Sequence, residues 1–332
     1  MIRTKFKPFV LLPAYKDYLW GGRRLNDDFN KRIDCSPLAE TWECSTHPEG
    51  QSIVGSGGFA GQTLAEVLAT HPVFLGTHPL SLTEGRPELP ILVKFIDACL
   101  PLSVQVHPDD AYALAHEGSL GKTEMWYVLD AKPSSSLVYG FSRDVEKEEV
   151  RKAISDGTVG KMLNHVPVEK GDVFYIAAGT VHAIGAGCLI AEIQESSNLT
   201  YRLYDYDRVG KDGKKRELHV DKALEVANLK SSAAPRQPMR ILKYQNGAAR
   251  ELLTRCRYFQ VERLILNTEG RVLPEFRAGK NSFHALLVTD GCGVLFGFGF
   301  HLNFFKGDCI FVPADSIPLQ IHGRGEILDI SC

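Results

Sequence analysis

Between residues 91 and 193 the apolar side chains fall into short runs, at 91–96, 102–107, 124–129, 136–139, 173–176 and 188–193, each broken by Gly, Pro or Asp. Runs of this length with such breaks read as β-strands, and their close spacing predicts a sandwich or barrel. The pattern returns at 259–266, 283–289, 292–298 and 309–312. Helical periodicity is sparse. One amphipathic helix is predicted at 63–69; another starts with Asp144 as its cap, carries Val145, Val150, Ala153 and Ile154 at helical spacing, and ends at Gly157. Short helices are also predicted at 159–163 and 220–228. The chain therefore reads as mainly β, with a small helical insertion near 144–163 that separates Glu124 from His182.

Residues 229–238 combine small side chains with two prolines, a linker pattern. It predicts two domains, 1–235 and 236–332. An internal echo supports a repeated barrel unit: Lys170-Gly-Asp-Val-Phe-Tyr-Ile-Ala-Ala-Gly-Thr-Val-His182 resembles Lys306-Gly-Asp-Cys-Ile-Phe-Val-Pro-Ala-Asp-Ser-Ile-Pro318. Pro318 stands where the first copy has His182, so the second barrel is expected to be metal-free and structural.

Composition narrows the partners. With 332 residues and 44% hydrophobic content the chain can bury large cores, and 38 basic against 40 acidic residues leave a net charge of −2. No basic run is present to neutralise a phosphate backbone, so nucleic acid is not expected as a partner. Residues 1–10 lack the apolar core and cleavage site of a signal peptide, and no segment is long and apolar enough to span a bilayer; a cytoplasmic protein is expected. The eight cysteines, at 35, 44, 99, 188, 256, 292, 309 and 332, form no Cys-x-x-Cys pair and are expected to be reduced and mostly buried.

Four residues carry candidate metal chemistry. Gln105 and His107 are two apart in Pro101-Leu-Ser-Val-Gln-Val-His-Pro108, so on a strand both point to one face. Glu124 shares a face with Trp126 and Val128, an unusual setting for a carboxylate unless a cation neutralises it. His182 follows the Gly-Asp strand of the first echo. Together Gln105, His107, Glu124 and His182 offer two oxygens and two nitrogens, a set suited to zinc and also to iron, manganese or cobalt. Taken singly, each is as well explained as a surface or hydrogen-bonded polar group; together they resemble the cupin pattern.

The residues around these four resemble a narrower family. Ser103-Val-Gln-Val-His-Pro-Asp-Asp110, Gly121-Lys-Thr-Glu-Met-Trp126, Gly179-Thr-Val-His-Ala183 and Glu192-Ile-Gln-Glu-Ser-Ser-Asn198 followed by Arg202 are similar to type I phosphomannose isomerase. Tyr15-Lys-Asp-Tyr-Leu-Trp-Gly-Gly22 and Glu40-Thr-Trp-Glu-Cys-Ser-Thr-His47 resemble its N-terminal segments. The short helical region and the continuation Leu199-Thr-Tyr-Arg-Leu-Tyr204 resemble the compact bacterial branch. The resemblance implies a double cupin of two jelly-roll barrels, one zinc ion and the interconversion of mannose 6-phosphate and fructose 6-phosphate. By position it implies Gln105, His107, Glu124 and His182 as metal ligands, Ser103 and Lys122 at the substrate pocket, Glu192 as an acidic active-site residue and Arg202 as the catalytic arginine.

Such a reaction needs a base that takes and returns a proton and positive charge near two oxygens. Lys122, Glu192 and a metal-bound water all qualify as base, and Arg202 supplies a permanent cation for an oxyanion or a phosphate dianion. Plainer alternatives accompany each: Arg202 in an ion-pair cluster with Asp205, Asp207 and Arg208, Lys122 solvated after a turn, Glu192 paired with a cation inside the barrel, and Pro108-Asp-Asp110 a helix-capping turn. The segment 205–216, rich in charge and glycine, is expected to be a mobile hairpin or loop that covers the pocket when sugar phosphate binds. Two other readings compete with the isomerase, a metal-dependent cupin oxygenase and a non-catalytic sugar-binding cupin.

Overall fold

The computed structural model describes residues 6–210, 213–232, 240–270 and 272–332. Antiparallel strands dominate, gathered into sheets of six, five and ten. The six-stranded sheet runs Val173–Ile176, Glu124–Ala131, Cys188–Glu195, Ile91–Ala98, Glu40–Cys44, Ala14–Lys16 in spatial order. Facing it, the five-stranded sheet runs Tyr201–Tyr204, Val104–Val106, His182–Ile184, Ser136–Phe141, Leu163–Pro167.

The central strands Ile91–Ala98 and Cys188–Glu195 are buried at every position. Their side chains alternate between two different cores. Val93, Phe95, Ala191 and Ile193, with Met125 and Tyr127 on the neighbouring strand, pack against Ala285, Leu287, Leu328 and Ile330 of the C-terminal sheet. Ile96 and Ile190, with Trp126 and Val128, turn the other way and meet Leu137, Phe174 and Ile184 inside the first barrel. A sheet covered on both faces gives continuous apolar runs instead of polar alternation, which is why these strands stand out in the sequence. Polar residues that do occur on the inner face, among them Lys94, Glu124 and Glu192, are thereby forced into a barrel interior.

Helices cover the outer face of the five-stranded sheet. Val150 and Ala153 of Lys147–Ser155 and Ala223 and Leu224 of Val220–Val226 pack on Val104, Val106, Val138, Tyr201 and Leu203. The insertion expected at 144–163 is thus a helix followed by the 3-10 turn Val159–Met162. Asp144 is not its cap: the helix starts after Glu146, and the Asp144 carboxylate instead accepts from the backbone N–H of Ser231 and from Lys230 Nζ. The helix expected at 63–69 is Leu64–Thr70, opened by a capping box in which Thr63 and Glu66 exchange hydrogen bonds.

The ten-stranded sheet forms the C-terminal barrel around Leu264, Leu286, Val288, Leu295, Phe304 and Ile321. The runs expected at 283–289 and 292–298 are one strand, His284–Gly297. Asp290-Gly291 reads as a turn but is a β-bulge, where the register slips between Val288 and Asp290 and Gly291 takes φ +78°. This sheet also takes in Phe9–Leu12, paired with Cys309–Val312, and Ile53–Val54 beside it. The domain boundary placed at 235/236 is therefore crossed by strand pairing, and residues 233–239 of the proposed linker lie outside the described residues. Among the described residues no helix is long and apolar enough to cross a membrane. Cys44, Cys188 and Cys309 are buried, but Cys99 and Cys292 are exposed, so burial of the thiols is less general than composition suggested; all eight are free.

The internal echo is structural. Gly171 and Gly307 adopt φ +90° and +97°, and Asp172 and Asp308 accept from the backbone N–H groups of Glu169 and Phe305 in matching turns. The strands that follow pair alike, Ile176 with Glu124 and Val312 with His284. Carried across the next strands, this register sets Asp329 at the place of Glu192, Glu262 at that of Lys94 and Arg250 at that of Glu40. Both barrels thus carry charges at equivalent interior positions. In the second they are joined to one another, His284 to Asp329 at 2.6 Å and Arg250 to Asp329 and Glu262 at 2.9 and 3.1 Å.

Candidate metal centre and active site

Gln105 lies in the middle of Val104–Val106, and His107 is one residue past the end of that strand, with the two-residue spacing intact. Glu124 and His182 are the first residues of their strands, and His182 is in register with Gln105. The structure brings all four together. His182 Nε2 lies 3.3 Å from Glu124 Oε1, His107 Nε2 3.6 Å from Glu124 Oε2, and the Gln105 amide 3.3 Å from His182 Nε2. His107, Glu124 and His182 are essentially inaccessible, at 1%, 0% and 0% exposure.

Each imidazole is oriented by a backbone carbonyl. His107 Nδ1–H donates to Leu199 O at 2.9 Å and His182 Nδ1–H to Thr180 O at 2.8 Å, which leaves both Nε2 lone pairs facing Glu124. Burial holds His107 well below its ordinary value and pushes His182 down to about 4, so both rings are neutral, the form that ligates a metal. Burial also pushes Glu124 up to about 7, against the pull of Lys122, whose Nζ is 3.0 Å from Oε2. Yet neither Glu124 oxygen nor His107 Nε2 has a hydrogen-bond partner. Orphaned buried acceptors are costly. Three buried residues whose ligand atoms lie within 4.8 Å of one another, two of them with unsatisfied acceptors, fit a divalent cation.

Beside these ligands is a cavity of about 330 Å³. Ser103, Gln105, Lys122, Glu192 and Arg202 all line it, as do Lys94, Glu40, Asn198 and Arg216. Arg202 sits opposite Gln105 in register and turns inward, while Tyr201 and Leu203 go to the outer core. Its Nε donates to Ser103 Oγ at 3.3 Å and Nη1 to Glu217 O at 2.9 Å. Burial and the nearby Arg216 guanidinium lower the Arg202 pKa. The ion-pair alternative fails for Arg202: Asp205 is engaged by Arg208 and Arg216, and among the described residues Arg202 has no carboxylate partner. A guanidinium without a carboxylate partner on this cavity favours an anionic ligand.

The cation alternative for Glu192 holds. Lys94 Nζ is 3.3 Å from Glu192 Oε1 and 3.5 Å from Glu40 Oε2, and Trp126 Nε1–H donates to Glu192 Oε2 at 2.8 Å. Burial would raise Glu192, but Lys94 and Lys122 outweigh it and hold the carboxyl below its usual value. Lys94 and Glu40 were missed in the sequence. Their signal was a lone lysine inside the apolar run 91–96 and an acid leading the strand 40–44. Asp109, not a ligand, caps the helix Asp110–Glu117, as the plainer reading of that turn had it.

At the mouth, the segment expected to be a hairpin or loop at 205–216 is tied by the antiparallel Val209–Lys215 bridge, with residues 211 and 212 outside the described residues. Asp205, Arg208, Val209, Gly210 and Arg216 line a second cavity of about 320 Å³, which shares Tyr18, Trp20 and Arg216 with the first.

Residues 9–127 match the catalytic domain of type I phosphomannose isomerase. The chain is 36% identical over 325 residues to a probable mannose-6-phosphate isomerase of Bacillus subtilis, covering 97% of this chain and 98% of that one. It is 42% identical over 223 residues to mannose-6-phosphate isomerase of Streptococcus mutans, covering 67% and 68%. The crystal structure of mannose 6-phosphate isomerase from Bacillus subtilis superposes with a TM-score of 0.88 at 32% identity, over 98% of this chain and all of that one. The chain belongs to the type I phosphomannose isomerases, a metal-dependent family of cupin-type fold.

Proposed function

We propose that the protein interconverts mannose 6-phosphate and fructose 6-phosphate, with Gln105, His107, Glu124 and His182 holding one zinc ion. The observation that carries this reading is the set of orphaned buried ligand atoms beside a cavity with unpaired cationic character. When bound, the ion supplies positive charge to oxygens that become negative, in a site with little water to screen it. Two imidazoles and two oxygen donors are compatible with zinc.

The reaction moves one proton from C2 of the aldose to C1 of the ketose through an enediolate, with a hydroxyl proton passing from O2 to O1. Lys122 carries the carbon-bound proton. Lys122 lines the cavity, and its Nζ rests on a carboxylate that the metal would engage. Glu192 is a weaker base because Lys94 and Trp126 hold it as a carboxylate; its negative charge instead fixes Lys94 and the inner wall. Arg202, backed by Ser103, offers a fixed fork to the substrate's anionic groups, with Arg216 as a second cation. These cations support an anionic sugar over the oxygenase reading. The second barrel is structural, its interior charges already paired among themselves.

A coupled assay of zinc-loaded protein with mannose 6-phosphate tests the proposal. Turnover without oxygen, lost in Lys122→Met while metal is retained, is expected. Tight sugar-phosphate binding without turnover would support the non-catalytic alternative.

A further inference from the structure

The segment Gly121-Lys122-Thr123 is held from three sides. Asp110 Oδ1 accepts from Gly121 N–H at 3.0 Å, Pro108 O accepts from Lys122 N–H at 3.0 Å, and Glu195 Oε1 accepts from Thr123 N–H at 2.6 Å. A side chain at Gly121 would stand 2.4 Å from the Asp109 carbonyl carbon, so the loop lies hard against the start of the helix. The Asp110 and Glu195 carboxyl groups lie against each other. Tyr258, from the C-terminal barrel, donates its hydroxyl to Asp110 Oδ2 at 2.8 Å.

We propose that Tyr258, Asp110 and Glu195 form a positioning clamp through which the second barrel fixes the loop bearing Lys122, and so sets the aim of the amine in the isomerisation. The inference rests on the reading of Lys122 as the proton carrier. None of the three touches the substrate cavity, yet together they fix the amides on both sides of Lys122. Burial and the Asp110 carboxylate push Glu195 up to about 8. Tyr175, Cys256 and Tyr258, which also face it, are acids as well. Raised in this way, Glu195 holds the proton that makes its contact with Asp110 attractive. Catalysis is sensitive to such placement: an error of about 1 Å costs on the order of a hundredfold in rate.

Three variants of the full-length metal-loaded protein test the clamp. Glu195→Gln keeps an oxygen for Thr123 and an N–H for Asp110; Glu195→Ala removes both; Tyr258→Phe removes only the hydroxyl. With mannose 6-phosphate as substrate, Glu195→Ala is expected to lower kcat by roughly ten- to a hundredfold with KM within about twofold. Glu195→Gln should restore kcat to within about twofold of the natural protein, and Tyr258→Phe should fall between. Hydrogen exchange of the 121–124 amides should quicken in the alanine and phenylalanine variants alone. Unchanged kcat in Glu195→Ala, or equal losses for alanine and glutamine, would overturn the proposal. If the natural protein shows no turnover, the functional reading fails instead. The clamp is then judged on exchange, with unchanged rates in Tyr258→Phe refuting it.

Discussion

Lys94→Met removes an ammonium from between two buried carboxylates and leaves the strand otherwise intact. Lys94 is 3% exposed, Glu192 4% and Glu40 7%, with the contacts at 3.3 and 3.5 Å. At an effective dielectric of about 20, each contact is worth about 5 kcal/mol. Desolvation of the ammonium takes back several of these, and breaking such a pair costs about 3–5 kcal/mol. The loss must also depend on pH in a defined direction. Burial disfavours charge on Lys94, but Glu40, Glu192 and Glu124 outweigh it and hold its pKa above the ordinary value. Glu192 is held below its own, so its pairing contributes stability above the unfolded carboxyl value and is lost as pH falls through the folded one. Without Lys94 the buried Glu192 carboxyl must bind a proton on folding. Guanidinium denaturation should therefore show a deficit of about 3–5 kcal/mol at pH 8 that shrinks to about 1–2 kcal/mol below pH 5, where protonation relieves the unpaired charge. A deficit independent of pH would refute the ion-pair account, because methionine packing alone carries no proton linkage.

Two further outcomes follow from the geometry. Arg202→Ala should lower kcat/KM by roughly a hundredfold or more, with bound metal unchanged by elemental analysis, since the guanidinium faces the cavity but touches none of the four ligands. His284→Leu should cost about 1–3 kcal/mol in denaturation. Burial opposes charge on His284, but Asp329 outweighs it and raises the pKa, so this advantage of the natural protein should be full below the unfolded histidine value and fade as pH rises through the folded one.

Local pattern exposed most of the candidate metal site. Two-residue spacing put Gln105 and His107 on one face, and a carboxylate sharing its face with Trp126 and Val128 flagged Glu124; both arguments concern neighbours along one strand. What stayed hidden depends on register between distant strands. Lys94 and Glu40 become meaningful only once Glu192 is opposite Lys94 and Trp42 lies on its other side. Phe9–Leu12 gives no hint of its partner Cys309–Val312. Asp144 satisfied every local rule for a helix cap, yet Ser231, distant in sequence, offered its carboxylate a tertiary partner. Likewise Asp290-Gly291 carries turn chemistry, but the strand continues because the bulge lets Gly291 approach the Arg324 carbonyl, where a side chain would stand 2.0 Å away.

The central claim is that four side chains in the first barrel hold the ion on which isomerisation depends. Its most direct test is a titration of zinc into chelator-stripped protein, reading initial rates with mannose 6-phosphate in the natural protein and in Glu124→Gln. Activity rising to a plateau at one ion per chain in the natural protein, and staying at background in the variant, is the expected result. Full activity before zinc is added, or an unchanged titration in Glu124→Gln, would contradict it.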